Sequence, residues 1–487
     1  MSNESSRGNV GFIEKHGLWS DEQRAAAEDL RVRIEKEGIS RIRIGWVDQH
    51  GLIRGKTLLV PDFLRSLVDG RDLQGALLLM DTTNNPVKPF FADGGGLGIE
   101  EIEGMSDTVI VPDPLTFKLV PWSAGSGWIL SDMYYTNGRP SSLCTRSIMR
   151  KQVDELARRG YTYTAGLEVE FYITKLLDPK LSPESSGWPP EPPEVEAIAH
   201  GFQYLTDSRN DEIEHILLPL QDAILGLGLP LNSMEDEWGP GQCEFVFDIA
   251  QGLEAADNMV YFRTAIKQVC RRMGYHATFM ARPGLPNFFS SGWHLHESLT
   301  DVETGENTFV SEGSDYLSEL GQHFVGGVLE HANEASIFAT PSVNGYKRYK
   351  PHSLAPTNAS WTSENRGALI RVIGQPGDKH THIENRAGEP MANPYLYMAS
   401  QIVAGLDGVD RKVDPGPAST GDPYASGKPP LPRNLYQAVE ALKNSDLYRR
   451  AFGDGFVDYY ASMKEFEMDR FMGEVTEWEH REYFEMY

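Results

Sequence analysis

Cysteine, long apolar runs and positive charge are all scarce in this sequence. Its 487 residues include three cysteines, Cys144, Cys243 and Cys270, without Cys-x-x-Cys spacing. This usage favours neither a disulfide framework nor a zinc site built on paired cysteines. The longest apolar run lies near Leu77–Met80, and no run is long enough to cross a bilayer.

Acidic residues outnumber basic residues by 70 to 45, which gives a net charge of -25 at pH 7. This excess argues against nucleic acid or an anionic membrane surface as the main partner. The N-terminal stretch, residues 1–11, is polar and lacks the apolar core of a signal peptide. We therefore expect a soluble cytoplasmic protein that has no nucleic-acid or membrane partner.

The most informative pattern surrounds Glu168 and Glu170. From Tyr161 to Phe171, apolar and polar residues alternate strictly, as is typical of a strand with one buried face. Two carboxylates at positions i and i+2 of a strand point the same way, which suits a cation. An ordinary strand with its polar face in water also explains a lone Glu-x-Glu, so further segments are needed to decide.

Three further segments also place polar functional side chains on one face of a predicted strand. Residues 242–248, 294–298 and 382–386 each carry charged, imidazole or hydroxyl side chains at alternate positions. The side chains concerned are Glu244, His294, His296, Ser298, Glu384 and Arg386. Four strands with such polar faces predict one shared cavity, and an acidic cavity needs cations.

The chain divides near residue 140. Ser20–Gln23 has the form of a capping box at the start of a helix, and residues 39–60 predict a hairpin that turns at Asp48–Gly51. Strand-like runs continue to about residue 132, and a helix is predicted at Ile148–Arg159. We expect a small β-rich domain at residues 1–140 and a larger domain at residues 141–487.

Several motifs occur in a fixed order along the chain. They are Gly166–Phe171, Glu237–Glu244, Ser291–Leu299, Asn344–Arg348, Asn365–Ala368, Glu384–Arg386 and Ala392–Leu396. This ordered set resembles the glutamine synthetase family over nearly the whole chain. The resemblance implies an α+β fold, with an N-terminal β-grasp domain and a C-terminal catalytic domain whose curved antiparallel sheet is flanked by helices. It also implies a homo-oligomer of stacked hexameric rings, commonly a dodecamer, with active sites between neighbouring subunits.

The family's chemistry fits an acidic cavity. By resemblance, ATP phosphorylates the γ-carboxylate of L-glutamate, and an amine then displaces phosphate to form an amide. The reaction requires Mg²⁺ or Mn²⁺, hard cations that prefer carboxylates with an occasional imidazole. The resemblance assigns one ion to Glu170, Glu237 and Glu244. It assigns the ion nearer the nucleotide to Glu168, His294 and Glu384.

The resemblance also assigns the positive charges of the site. Arg348 corresponds to the residue that binds the glutamate carboxylate. Arg366 and Arg386 correspond to residues that neutralise the transferred phosphoryl group and the acyl phosphate. Contacts to the nucleotide are implied for His296, Ser298 and Arg371.

Departures from the family's pattern bear on the amine. Six residues after the clamp arginine, glutamine synthetases carry a glutamate that helps to bind and deprotonate ammonium, whereas this chain has Leu354. The other acid near the ammonium site is kept as Asp81, which the resemblance suggests is donated across subunits. Phe288 and Phe289 add aromatic surface where the family often has a glycine-containing segment. We therefore expect Leu354 and Phe289 to belong to an apolar amine pocket.

An apolar pocket suits an aromatic amine such as aniline. Ammonia and alkylamines are protonated at neutral pH and must lose a proton before attack, whereas aniline is already neutral. The chain accordingly resembles the γ-glutamylamide synthetase branch, and we expect the type that makes γ-glutamylanilide. An alkylamine or polyamine is the alternative substrate, and ammonia the next.

Two other classes of protein stay open. A phosphagen-type kinase would transfer phosphate to a guanidine and form no amide. An inactive structural relative would assemble into rings but would be expected to lose metal ligands, and all six are present here. Analysis of the reaction product separates the first class from a ligase.

Overall fold

The computed structural model describes residues 10–487. The polar N-terminal stretch considered above lies mostly outside the described residues, since residues 1–9 are not part of them. Within residues 10–487, every helix is too short or too polar to span a bilayer. The cytoplasmic location stays a prediction.

The N-terminal part forms a six-stranded sheet with helices against it. Its elements are α1 (Phe12–His16), α2 (Asp21–Lys36), β1 (Arg41–Val47), β2 (Ile53–Leu59), α3 (Val60–Asp69), β3 (Arg71–Gln74), β4 (Asp107–Pro112), β5 (Lys118–Leu119) and β6 (Ser126–Tyr135). The strand order is β2-β1-β6-β4-β3, and β5 pairs with β6. Strand β1 is antiparallel to β2 and parallel to β6.

Both local predictions for this part are confirmed. The side chain of Ser20 accepts a hydrogen bond from the backbone N of Gln23, whose side chain accepts one from the backbone of Ser20, so the capping box starts α2. Strands β1 and β2 form the expected hairpin, with Val47 opposite Ile53. Short-range sequence signals therefore sufficed here.

The C-terminal part contains the larger, nine-stranded sheet. Its first elements are α4 (Thr145–Arg158), β7 (Tyr161–Asp178), β8 (Glu194–Ala197), α5 (Asp207–Gly226), β9 (Leu231–Asp236), β10 (Gln242–Gln251), α6 (Glu254–Arg272), β11 (Tyr275–Thr278) and β12 (Trp293–Asp301). There follow α7 (Glu319–Glu330), α8 (Ala332–Ala339), β13 (Trp361–Ser363), β14 (Ile370–Ile373), β15 (His382–Gly388), α9 (Pro394–Arg411), α10 (Leu435–Lys443), α11 (Asp446–Phe452), α12 (Asp454–Gly473) and α13 (Glu477–Tyr483). The strand order is β13-β14-β15-β12-β7-β10-β9, and β8 and β11 both pair with β7.

Strand β7 lies at the centre of this sheet, and its two faces differ as the alternation predicts. Phe171 is fully buried, stacks on Phe279 at 5.0 Å between ring centroids and meets Phe245 edge-on at 5.3 Å. The apolar residues of β7 face the helices, and α4 and α6 both contact this strand. This packing leaves the opposite face, with Glu168 and Glu170, free to line a cavity.

A buried charge network joins the two parts. Arg146 of α4 donates to both carboxylate oxygens of Asp257 on α6 at 2.9 Å and to Asp132 of β6 at 3.0 Å. The apolar core also continues across the junction, where Trp128 of β6 meets Tyr261 of α6 at 5.0 Å. The domain boundary at residues 140 and 141 stays a prediction.

Candidate active site

Four neighbouring strands, in the order β15-β12-β7-β10, place the predicted side chains in one cavity. Their registers set acidic residues and histidines directly opposite one another. The cross-strand pairs are Glu168 with His294, Glu170 with Glu244, and Glu384 with His296. Like charges placed opposite each other destabilise a sheet, so the Glu170–Glu244 pair would be stabilised by a bound cation.

His294 lies at the centre of the cluster. Its Nδ1 is 3.2 Å from Glu168, 3.7 Å from Glu384 and 3.9 Å from Glu244, each measured to a carboxylate oxygen. Its Nε2 is 3.8 Å from Glu170. Four of the other five predicted metal ligands therefore surround the imidazole of His294.

Glu237 completes the set just before β10. Its carboxylate forms a group with those of Glu235 and Glu244, within which ligand atoms lie no more than 4.8 Å apart. His296, predicted as a nucleotide contact, forms a similar group with Glu168 and Glu384. The structure thus brings all six predicted ligands together and adds Glu235 and His296 as candidate ligands. The groups of neighbouring ligand atoms differ from the two triads that the resemblance implies.

The electrostatics of the cluster fit a divalent cation. Burial, together with repulsion from Glu237, raises the pKa of Glu170. Burial and then repulsion from Glu170 raise the pKa of Glu244, whose Oε1 is buried without a hydrogen-bond partner among the described residues. Carboxylate oxygens with one or two imidazole nitrogens form a donor set suited to Mg²⁺ or Mn²⁺, and such an ion would relieve the repulsion.

Two predicted arginines reach the cluster through Glu384. Arg386 forms an ion pair with one oxygen of the Glu384 carboxylate, and Arg371 donates to the other at 3.0 Å. Arg371 also donates to Glu364 at 2.9 Å. Arg386 is therefore placed where it could meet negative charge developing next to the cluster.

Arg348 is held beside the cluster by backbone carbonyls. Its Nη1 donates to the backbone carbonyls of Ala387 at 3.0 Å and Gly388 at 2.7 Å, and the side chain is almost fully buried. A Cβ on Gly292 would come within 2.8 Å of Arg348 Nη2. Glycine at that position therefore allows the guanidinium to lie beside the strand that carries His294.

A cavity of about 970 Å³ opens beside Glu168. All three residues predicted to contact the nucleotide line it, and so does exposed Arg366. The three are His296, Ser298 and Arg371. The Nδ1 of His296 lies 2.9 Å from Nε2 of His382, which also lines the cavity. This volume lies in the upper range for small-molecule sites, large enough for a nucleotide.

A model of the glutamine synthetase catalytic domain matches residues 142–483. The chain belongs to the glutamine synthetase family. This membership confirms the predicted fold and the predicted class of enzyme, an ATP-dependent ligase that joins glutamate to an amine. Enzymes of the family use ATP and divalent metal ions, as the acidic cluster requires.

The relatives of this family member include amide synthases with different amines. A γ-glutamylanilide synthase from an Acinetobacter species is 44% identical, and the alignment covers 98% of this chain and 99% of the relative. A glutamate–isopropylamine ligase from a Pseudomonas species is 32% identical over 96% of this chain and 100% of the relative. The solved structure of apo GmaS without ligand matches with a TM-score of 0.78 and 26% identity, covering 94% of this chain and 99% of that chain.

Leu354 is one of the residues at which this glutamine synthetase homologue departs from the family's pattern. Leu354 is 67% exposed on a loop, with a left-handed φ of 62°. The sequence predicts an apolar pocket residue here, but in the single chain Leu354 is not enclosed. Nearby, the rings of His352 and Tyr424 lie 5.0 Å apart. The role of Leu354 in binding the amine stays a prediction.

Asp81 lies apart from the carboxylate cluster. Its carboxylate accepts hydrogen bonds from the backbone N of Thr83 at 2.9 Å and of Asn85 at 2.8 Å, and it forms an ion pair with Arg470. These contacts fix the loop after β3. A role for Asp81 in catalysis would therefore have to be exercised in a neighbouring subunit, as the resemblance implies.

Phe289 belongs to a group of three half-exposed aromatic rings, which we call the aromatic trio: Phe202, Trp238 and Phe289. The Phe289 ring meets Phe202 at 5.7 Å and Trp238 at 6.4 Å, and Phe202 meets Trp238 at 5.9 Å, all nearly perpendicular. The backbone N of Trp238 donates to the carboxylate of Glu237 at 3.0 Å. The trio thus adjoins a predicted metal ligand.

Sequence reasoning missed three contributors to the site. Trp238 could have been found, since it directly follows Glu237 in a recognised motif. Phe202 gave no signal, because an irregular loop brings it to the other two rings. Gln242 was overlooked, although it lies two positions before Glu244 on the same face of β10. Its Nε2 donates to the Glu170 carboxylate and to the Ser291 hydroxyl, both at 3.0 Å.

Proposed function

We propose that this enzyme joins the γ-carboxylate of L-glutamate to an aromatic amine such as aniline. The γ-phosphoryl group of ATP passes to the carboxylate and leaves ADP. The amine nitrogen then attacks the acyl carbon, phosphate departs, and the nitrogen loses one proton. The products are γ-glutamylanilide, ADP and phosphate.

The aromatic trio is the observation that carries the choice of amine. Its three rings are each between 41% and 45% exposed, so they offer apolar edges and faces beside Glu237. An aromatic pair contributes about 0.5–1.5 kcal/mol beyond the burial of its area, which an aryl amine gains and ammonia cannot. The similarity to the Acinetobacter γ-glutamylanilide synthase supports the same reading.

We assign the roles of the other residues as follows. Arg348 orients the glutamate carboxylate, Arg386 and Arg366 stabilise charge on the transferred phosphoryl group, and His296, Ser298 and Arg371 contact the nucleotide. Divalent cations, Mg²⁺ or Mn²⁺, held by the six ligands would neutralise phosphate oxygens. The ligands are Glu168, Glu170, Glu237, Glu244, His294 and Glu384.

Assembly is part of the proposal. We infer a two-domain chain divided at residues 140 and 141, which forms stacked hexameric rings. In such a ring, Asp81 of one chain would reach the amine site of its neighbour. Aniline is neutral at pH 7 and needs only a late proton acceptor, and Asp81 could accept that proton or position the amine.

An alkylamine is the second candidate. It is favoured by the similarity to the glutamate–isopropylamine ligase, whereas uncharged Leu354 supplies no carboxylate to hold its protonated form. Against it, an alkylamine gains less from the aromatic trio. Ligase names among the relatives and the complete ligand set favour either ligase over a guanidine kinase or an inactive relative.

The test is to replace Phe202 by leucine and to follow amide formation from aniline and from isopropylamine. Loss of one ring should lower kcat/KM for aniline about tenfold and leave that for isopropylamine nearly unchanged. Phe91→Leu, which alters an exposed ring elsewhere, is the matched control. If Phe202→Leu slows both amines equally, the trio does not select the amine.

A further inference from the structure

A second large cavity lies apart from the carboxylate cluster and the nucleotide cavity of the same chain, and the loop at residues 82–84, next to Asp81, is part of its lining. It has a volume of about 1140 Å³, opens to solvent, and is lined mainly by the β1–β2 turn, the C-terminal half of α6 and helix α12. It shares no lining residue with the nucleotide cavity. Eight basic side chains line it, against two acidic ones, Glu467 and Glu474, which is unexpected in a chain of net charge -25.

Some of this positive charge is neutralised within the protein. Three of the cations are paired with carboxylates: Arg54 with Asp48, Lys464 with Glu467, and Arg470 with Asp81. Arg263 is held by the backbone carbonyls of Gly51, Pro390 and Ala392 at 2.8–2.9 Å. These four side chains have structural partners already.

Four other cations lack a carboxylate partner in the described part of the chain, although Arg272 donates to the carbonyl of Gln268 at 3.4 Å and Lys347 lies 5.6 Å from the ring centroid of Phe471. Within residues 10–487, no carboxylate oxygen lies within 4.0 Å of the charged groups of Lys267, Arg271, Arg272 or Lys347, all of which line the cavity. Lys267 donates to the carbonyl of Ala277 at 3.1 Å. Lys267 and Arg271 are one helical turn apart on α6, so they face the same side.

The surrounding groups respond to this charge. Burial, followed by the charges of Lys267 and Arg271, lowers the pKa of His276 to about 4. Desolvation lowers the pKa of Lys267 itself, and Cys270 opposes this shift. Basic residues in the last turn of a helix also favour its dipole, but that explains only Arg271 and Arg272, because Lys347 lies on another element.

We propose that this cavity binds a small organic anion that carries two carboxylate or phosphate groups. Lys267, Arg271, Arg272 and Lys347 would meet its charges. Apolar side chains, including Phe279, Val343 and Phe471, line the same cavity and would cover its carbon skeleton. The concave shape and the volume suit a small molecule. All four cations are solvent-exposed, and their hydrogen bonds to an oxyanion would be stronger than those between neutral groups.

Calorimetric titration of the metal-free, full-length protein tests the site at constant ionic strength. The probes are phthalate, which carries two carboxylates on an apolar ring, and inorganic phosphate, which has no carbon skeleton. The double variant Lys267→Gln/Arg271→Gln removes two of the available charges. Arg24→Gln/Arg65→Gln removes the same charge from exposed helix positions elsewhere and serves as the control.

We expect saturable binding of phthalate to wild type and to the control, weakened at least about tenfold in the cavity variant. Equal affinity in all three proteins, or no saturable binding, would overturn the proposal. The proposal would also be overturned if the cavity variant weakened the binding of phosphate but not that of phthalate, because the site would then bind inorganic phosphate. A change of assembly in light scattering, with phthalate binding unchanged, would instead make this surface an interface between copies and would also overturn it.

Discussion

His294 shows at the scale of one residue why the cluster suits a metal ion. Burial and then the charge of Arg386 lower its pKa, although Glu168 and Glu384 oppose the shift. The imidazole is therefore neutral near pH 7, which is the form that binds metals. Its two ring nitrogens both lie within 4.0 Å of carboxylate oxygens. A neutral ligand therefore lies among several negatively charged ones.

Replacing a ligand should abolish activity without unfolding the chain. We expect His294→Ala and Glu170→Gln each to lower kcat by more than about a hundredfold, because the cations supply several kcal/mol of charge stabilisation. Steady-state phosphate release measures the loss, and titration with Mn²⁺ measures metal binding. Glu196→Gln, at an exposed acid on β8, should behave as wild type. Full turnover in either ligand variant would disprove the metal assignment.

A carboxylate at position 354 should change the choice of amine. Leu354→Glu would attract protonated alkylamines and ammonium and would offer nothing to neutral aniline. Because the side chain is 67% exposed, solvent screens the charge, and we expect only a severalfold shift of relative kcat/KM. Leu354→Gln is the matched uncharged control. An unchanged ratio of the two amines in Leu354→Glu would remove this loop from the amine site.

At the scale of elements, the ion network around Arg146 joins β6, α4 and α6. Arg146→Met should lower the free energy of unfolding by about 3–5 kcal/mol, since it leaves buried carboxylates without their partner. Urea denaturation measures the change, with the exposed Arg24→Met as control. A loss no larger than that of the control would mean that the network adds little to the junction.

The joint between α7 and α8 should depend on pH through His331. Its ring nitrogens lie 2.9 Å from both Glu334 and Asp407; burial opposes its protonation, yet these two carboxylates raise its pKa above 6.5. Arg411 also contacts Asp407, and the Ser445 hydroxyl contacts Glu334. The stabilisation is therefore complete below pH 6.5 and disappears as pH rises through the raised value.

We expect His331→Gln to be less stable than wild type at pH 6 by about 1.5–3 kcal/mol, the range for a hydrogen bond to a charged group. The difference should shrink at higher pH. Thermal unfolding across this range measures it, and His200→Gln, at an exposed histidine, is the control. A deficit that grows with pH would show that neutral His331 makes the contacts.

The sequence predicted elements well where one strand or one turn decides the outcome. Alternation in β7 correctly separated the buried Phe171 from Glu168 and Glu170, and the capping box located the start of α2. The sequence could not predict that Glu168 lies opposite His294. These residues are 126 positions apart, and the register between their strands is set by tertiary packing. The position of Phe202 beside the other two rings could not be predicted for the same reason.

At the scale of the molecule, charge is sorted by site. The active site gathers carboxylates, while the second cavity gathers eight basic side chains, three of them paired with carboxylates, within one chain of net charge -25. The C-terminal segment exposes large apolar side chains, among them Val475, Trp478 and Phe484. Such exposure agrees with the expected ring assembly, which stays a prediction.

One competition experiment tests the central claim most directly. The purified enzyme is given ATP, Mg²⁺, L-glutamate and equal concentrations of aniline, isopropylamine and ammonium at neutral pH, and the amide products are quantified by mass spectrometry. The account predicts that γ-glutamylanilide dominates, since aniline is the only amine of the three that is mostly unprotonated and the only one that gains from the aromatic trio. Glutamine as the main product, or ADP formation without any amide, would contradict it.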